Sequence, residues 1–83
     1  MRKIKCLTTT GCPNCGPVIK FLHEKVVGIS MEFINENDPW FASQCKKYDA
    51  VQAPTVIIFG DNDEELGRAN ELQELKTLLK RVT

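Results

Sequence analysis

The sequence predicts an α/β fold in which a four-stranded mixed sheet carries helices on both faces. Apolar segments that suit strands alternate with amphipathic segments that suit helices, in the order β-α-β-α-β-β-α. Residues 56–59 form a continuous apolar run, typical of a strand buried on both faces, and the turn-forming residues 60–63 after it predict an antiparallel partner. Strands joined through helices predict parallel pairing with right-handed crossovers. We expect one domain, residues 1–83.

Composition and charge restrict the function classes. Eleven lysine and arginine residues balance eleven aspartate and glutamate residues, so no broad basic field attracts nucleic acid or anionic lipid. No apolar stretch approaches the roughly 20 residues of a membrane span, and no signal-peptide pattern follows the basic start. We therefore expect a cytoplasmic protein, a monomer, that binds neither nucleic acid nor membrane. In such a compartment the four cysteines favour catalytic, buried or sensing roles over a structural disulfide framework.

The first strand and helix frame a pair of cysteines. Residues 4–9 alternate between two faces and stop at Gly11, which predicts a strand. A helix is predicted from Pro13 to near Gly28, with Cys12 as N-cap and an irregular first turn at Pro17, which has no backbone N–H. The apolar stripe predicted for this helix comprises Val18, Ile19, Leu22, Val26 and Ile29.

The remaining elements follow from shorter patterns. Residues 31–35 predict a second strand, residues 56–59 a third and residues 64–68 its antiparallel neighbour. Asp38 and Pro39 predict the start of a short helix, and Asn70 with Gln73 predicts a capping box for the last one. In the short helix Trp40, Phe41, Cys45 and Tyr48 are predicted to be mostly core residues. In the last helix Leu72, Leu75, Leu79 and Val82 form the predicted buried stripe. Cys45 is interpreted as an inert apolar residue, with a modifiable thiol as the alternative.

Cys12 and Cys15 are the first candidates for chemistry. Their spacing lets the two sulfurs meet on one helical face and form a disulfide. Amides at the helix start favour a thiolate at Cys12, which can attack a disulfide, while Cys15 can resolve the mixed disulfide. A zinc site is the alternative, but it needs a second pair that Cys6, Cys45 and His23 do not provide. We therefore predict redox chemistry without a metal or an organic cofactor.

A strand, the motif Cys12-Pro13-Asn14-Cys15 and a helix resemble the small thioredoxin and glutaredoxin-like redox proteins. Ala53-Pro54-Thr55 strengthens the resemblance, since that family keeps a cis-proline just before its third strand, beside the active disulfide. The resemblance implies a thioredoxin-like fold and a thiol-disulfide oxidoreductase. It implies Cys12 and Cys15 as catalytic residues. It implies that Pro13, Asn14, Ala53, Pro54 and Thr55 bind the substrate.

Departures from the family pattern bear on the electron donor. Cys6 stands where thioredoxins carry a buried carboxylate, and Gly11 where they tend to carry tryptophan. Glutaredoxins commonly have tyrosine at the position of Asn14 and a Gly-Gly…Asp element where this chain has residues 67–70. A carboxylate of glutathione would therefore have to be bound by Arg68, Lys20 or helix amides.

We therefore expect a disulfide reductase for target proteins, recycled by a thioredoxin-type reductase. The resemblance suggests ribonucleotide reductase as one candidate target. The alternatives are a glutathione-dependent glutaredoxin and a redox-sensing binding module, in which Cys45 or Cys6 would be a further sensor thiol.

Overall fold

The computed structural model of the chain describes residues 3–82, which form one sheet and three helices. The strands are β1 (Lys3–Thr8), β2 (Ser30–Asn35), β3 (Thr55–Phe59) and β4 (Glu65–Ala69). The helices are α1 (Cys15–Lys25), α2 (Phe41–Lys47) and α3 (Leu72–Val82). The sheet order is β2-β1-β3-β4, with β1 and β2 parallel and the other two neighbouring pairs antiparallel. The predicted element order and the four-stranded mixed sheet are confirmed.

One face of the sheet packs against α1 and α3 and holds the main apolar core. Strand β1 contributes Ile4 and Cys6, which alternate with residues of the opposite face. The other buried members of this core are Val18, Leu22, Val26, Val56, Ile58, Ala69, Leu75 and Leu78. Leu78 lies outside the predicted stripe of α3, whereas Leu72, Leu79 and Val82 are only partly buried.

Helix α2 covers the opposite face and is held differently. None of its residues is buried, and Trp40, which precedes it, is 51% exposed. The prediction of a core position for Trp40 is therefore wrong, while Phe41 and Cys45 are half-buried. The half-buried ring of Tyr48 meets Phe59 of β3 edge to face, with 5.6 Å between the ring centroids.

Helix α1 begins later than predicted. Its N-cap is Asn14 rather than Cys12, and its first residue is Cys15 rather than Pro13. Pro17 supplies the physical reason. With this start, the missing N–H of Pro17 falls in the first turn, where backbone N–H groups have no intrahelical partner. A helix starting at Pro13 would have needed an N–H at residue 17 for its hydrogen-bond ladder.

The other two helix starts also differ from the prediction. Asp38 does not cap α2, because its Oδ2 accepts the N–H of Asn35, 2.8 Å away, on the preceding side of the chain. The N-cap of α2 is Trp40. At α3 the carboxylate of Glu74, not the predicted Gln73, accepts the backbone N–H of Asn70, with 2.8 Å between Oε1 and N.

Candidate redox site

Cys12 and Cys15 are joined by a disulfide at the end of the sheet where β1 leads into α1. Their Cα atoms lie 5.4 Å apart. The backbone N–H of Cys15 donates to the carbonyl oxygen of Cys12 at 3.4 Å, which closes a turn ahead of the helix. Cys15 is 4% exposed, whereas Cys12 is half-buried and Pro13 and Asn14 are exposed. The two sulfur-bearing residues therefore differ in access to solvent.

The loop before Cys12 is tied to the end of β2. The N–H of Thr10 donates to Oε1 of Glu36 at 2.7 Å, and the N–H of Glu36 donates to the carbonyl of Thr8 at 3.1 Å. Gly11 has φ +79°, a conformation that residues with a Cβ rarely adopt. A glycine between Thr10 and Cys12 thus permits the tight turn that connects β1 to the disulfide.

The loop before β3 approaches the disulfide from the other side. The Ala53–Pro54 peptide bond is cis, the geometry that the resemblance implied. Pro54 is fully buried and Thr55 is 1% exposed, so these two residues lie beneath the surface. Ala53 is half-buried and is the member of this segment that reaches the groove described below.

A groove of about 380 Å³ joins the disulfide to this loop. Its lining includes Cys12 and Pro13, Ala53 and Val51 from the loop before β3, and Phe41 and Cys45 of α2. Of the predicted site residues, the groove brings together Cys12, Pro13 and Ala53, whereas Cys15, Asn14, Pro54 and Thr55 lie outside its lining.

Sequence reasoning missed most of the groove lining, and Val51 and Phe41 are the clearest examples. Val51 is 88% exposed at the groove, and Phe41 lines it from α2 although it was predicted to be a core residue. The sequence did contain one indication for Val51, because it lies two residues before Ala53, a predicted substrate-binding residue.

Comparisons with known proteins identify the fold. No family model matches the chain, and no curated protein matches it. Thioredoxin 1 from Thermosipho africanus is 23% identical over 96% of this chain and 92% of that one, with a TM-score of 0.74. Thioredoxin O2 from Arabidopsis thaliana is 16% identical over 96% and 73%, with a TM-score of 0.75. A thioredoxin from Thermus thermophilus is 16% identical over 98% and 73%, with a TM-score of 0.69. The chain has the thioredoxin fold.

Within the thioredoxin fold, Cys6 is buried on the α1 and α3 side of β1. It is 1% exposed, and burial raises the pKa of its thiol from 9.0 to about 12. Near neutral pH it therefore stays protonated.

The structure also bears on metals and membranes. Among residues 3–82, no three or more side chains of histidine, cysteine, aspartate or glutamate are grouped to hold a metal ion. No helix in that part of the thioredoxin fold has the length and apolarity to cross a membrane.

Proposed function

We propose that the protein reduces disulfides in target proteins, with Cys12 as nucleophile and Cys15 as resolving thiol. The observation that carries the proposal is the difference in exposure, since Cys12 lines an open groove and Cys15 is buried behind it. A thiolate must reach its target, so the accessible sulfur attacks first.

The proposed reaction moves two electrons from the dithiol to the target. The Cys12 thiolate attacks one sulfur of the target disulfide, and the other target sulfur leaves as a thiolate that takes up a proton. The Cys15 thiolate then attacks the Cys12 sulfur of this mixed disulfide. The second target thiolate leaves, and the protein is left with the Cys12–Cys15 disulfide seen here.

We propose that the target binds as an extended segment along the groove. Ala53 lies there beside Cys12, so its backbone can pair with such a segment as a short β-ladder. Pro13 forms the wall next to the sulfur, and the exposed Asn14 contacts the target at the rim. Pro54 and Thr55, buried beneath, act by holding Ala53 in place.

The lining chemistry favours a protein target over glutathione. Within the described residues, no charged side chain lines the groove, whereas glutathione has charged groups at both ends. Arg68, a candidate partner for those groups, is already engaged, because its Nε and Nη2 donate to the two carboxylate oxygens of Glu65 at 2.8 Å each. Lys20 lies 3.9 Å from Glu24. The proposed substrate is a disulfide with apolar neighbours.

The electron donor in this proposal is a thioredoxin-type reductase, and the compartment is the cytoplasm, where such reductases keep dithiols reduced. We propose that the protein acts as a monomer. Ribonucleotide reductase, the target class that the resemblance suggests, is one substrate to test.

The primary test traps the first intermediate. The Cys15→Ser variant should form a stable mixed disulfide with a protein disulfide substrate such as insulin, because the resolving thiol is gone. Mass mapping should locate the bond at Cys12. Cys12→Ser is the matched control and should trap nothing. Failure to trap any substrate would favour the redox-sensing module.

A second test compares donors. Turnover of one protein disulfide should be faster with NADPH and a thioredoxin-type reductase than with glutathione and glutathione reductase. Efficient turnover with glutathione, abolished by Arg68→Ala, would favour the glutaredoxin alternative instead.

A further inference from the structure

Asn70, between β4 and α3, reaches across to the loop before β3. Its side-chain amide nitrogen Nδ2 donates to the carbonyl oxygen of Pro54 at 3.2 Å and to the hydroxyl oxygen of Thr55 at 3.1 Å. Asn70 is half-buried, and both acceptors belong to buried residues. An amide nitrogen carries two N–H groups, so the two bonds use its full donor capacity.

The hydroxyl of Thr55 extends this contact to a third point. It accepts from Asn70 and donates to the carbonyl oxygen of Gln52 at 2.6 Å. The carbonyl groups of Gln52 and Pro54 are therefore both held, one through Thr55 and the other directly by Asn70. Ala53 lies between these two anchors and, like Gln52, lines the groove with Cys12.

The backbone and the side chain of Asn70 have different hydrogen-bond partners. Its backbone N–H donates to Oε1 of Glu74 at the start of α3, whereas its side chain contacts only the loop among the hydrogen bonds described above. Loss of Glu74 would perturb the helix start and leave the side-chain contacts to the loop. Loss of the Asn70 side chain would do the reverse, so the two residues form a matched pair for experiment.

We propose that Asn70 is a positioning residue for substrate binding: its side-chain amide fixes the Pro54 loop so that Ala53 presents its backbone to an extended substrate beside Cys12. The proposal rests on the proposed function, because it concerns the same groove. It assigns to residue 70 a role in protein-substrate affinity that neither capping of α3 nor the cysteine chemistry requires. Without the amide, two buried oxygens lose a donor and the loop is free to shift.

The test separates binding from chemistry by using two disulfides. The fully reduced protein is mixed, in single-turnover reactions, with increasing insulin or with a small aromatic disulfide that has no peptide backbone to pair. Asn70→Ala should raise the half-saturating insulin concentration about tenfold, which corresponds to about 1.4 kcal/mol. Its rate with the small disulfide should stay within about twofold of the unsubstituted protein, because Cys12 itself is unchanged.

Controls distinguish positioning from a general loss of structure. Asn70→Ser keeps one donor and should give an intermediate insulin effect, which also provides a second variant if Asn70→Ala does not fold. Glu74→Ala should lower the midpoint of thermal unfolding but leave the insulin dependence within about twofold.

Three outcomes would count against the role. An equal loss of rate with both disulfides, an equal insulin effect in Glu74→Ala, or an unchanged insulin dependence in Asn70→Ala would each overturn the positioning role alone. If the unsubstituted protein reduces neither disulfide, the proposed function fails and this role fails with it.

Discussion

Lys5 and Cys6 are neighbours in β1, yet they lie on opposite faces of the sheet in contrasting environments. Cys6 belongs to the apolar core beneath α1 and α3. Lys5 points toward α2, where its Nζ donates to Oε1 of Gln44 at 2.8 Å and to the hydroxyl of Tyr48 at 3.2 Å. Both residues are buried, Cys6 at 1% and Lys5 at 8% exposure. Burial alone therefore does not distinguish these two residues, but the polarity of their contacts does.

On the two faces, the pKa of an acidic side chain is shifted in opposite directions. Burial raises the pKa of the Cys6 thiol to about 12. On the other face, burial acts to raise the pKa of Tyr48, but the hydrogen bond and charge of Lys5, with a contribution from Lys47, lower it overall. The α1 and α3 face is dry and supplies the main core, while the α2 face has a polar attachment and carries the groove. The main core and the proposed substrate groove thus lie on different faces of the sheet.

The largest expected effect of this difference is on stability. Leu75→Ala, at a fully buried position of α3, should lower the free energy of unfolding by about 3 kcal/mol, because it removes apolar contacts and leaves a cavity. Phe41→Ala, in α2 beside the open groove, should cost clearly less, although it removes a larger side chain. Urea unfolding of both variants measures the difference. Equal losses in the free energy of unfolding would mean that the α2 face contributes as much to the core as the α1 and α3 face.

The raised pKa of Cys6 predicts an effect on the free energy of unfolding that depends on pH. Below pH 9.0 the thiol is protonated in both states. Between pH 9.0 and about 12 the unfolded chain loses this proton while the folded protein keeps it, so the free energy of unfolding falls by about 1.4 kcal/mol per pH unit. Cys6→Ala should flatten this alkaline decline while leaving other titrations in place.

The measurement is denaturant unfolding at several alkaline pH values. Cys12 and Cys15 are replaced by serine in both proteins, which prevents disulfide exchange. If the free energy of unfolding declines equally with pH in the presence and absence of Cys6, the thiol is not in a dry environment.

Local pattern was enough to predict most of the fold. Alternation in β1, the apolar run of β3 and the turn after it depend on residues close in sequence, and all three are present in the structure. The predicted helix starts were wrong, because competing local features decide where each helix begins. Pro17 moved the start of α1 to Cys15, and the side chain of Asp38 turned back to Asn35.

The candidate site was predictable only where its signal is contiguous. The pair Cys12 and Cys15 and the cis peptide at Pro54 lie in short motifs. The contact of Asn70 with Pro54 spans sixteen residues and joins two loops, so no local periodicity indicates it. The exposure of Val51 likewise depends on how α2 and its neighbours leave the groove open.

The smallest and most specific expected effect is on the pKa of Tyr48, the single tyrosine of the chain. Lys5→Met keeps much of the aliphatic chain of Lys5 but removes its charge and both hydrogen bonds to α2. The pKa of Tyr48 should therefore rise, since the influence of Lys5 that lowers it is lost. The free energy of unfolding should fall by about 1 kcal/mol as Gln44 and Tyr48 lose their donor.

Ultraviolet absorbance titration follows the ionisation of Tyr48 directly, without interference from another phenol. Lys47→Met is the matched control, because Lys47 lies 5.3 Å from the centre of the same ring and contributes less to the shift. It should raise the pKa of Tyr48 less than Lys5→Met does. An unchanged tyrosine titration in Lys5→Met would mean that α2 does not depend on the polar contact through the sheet face, and the contrast between the two faces would then rest on Cys6 alone.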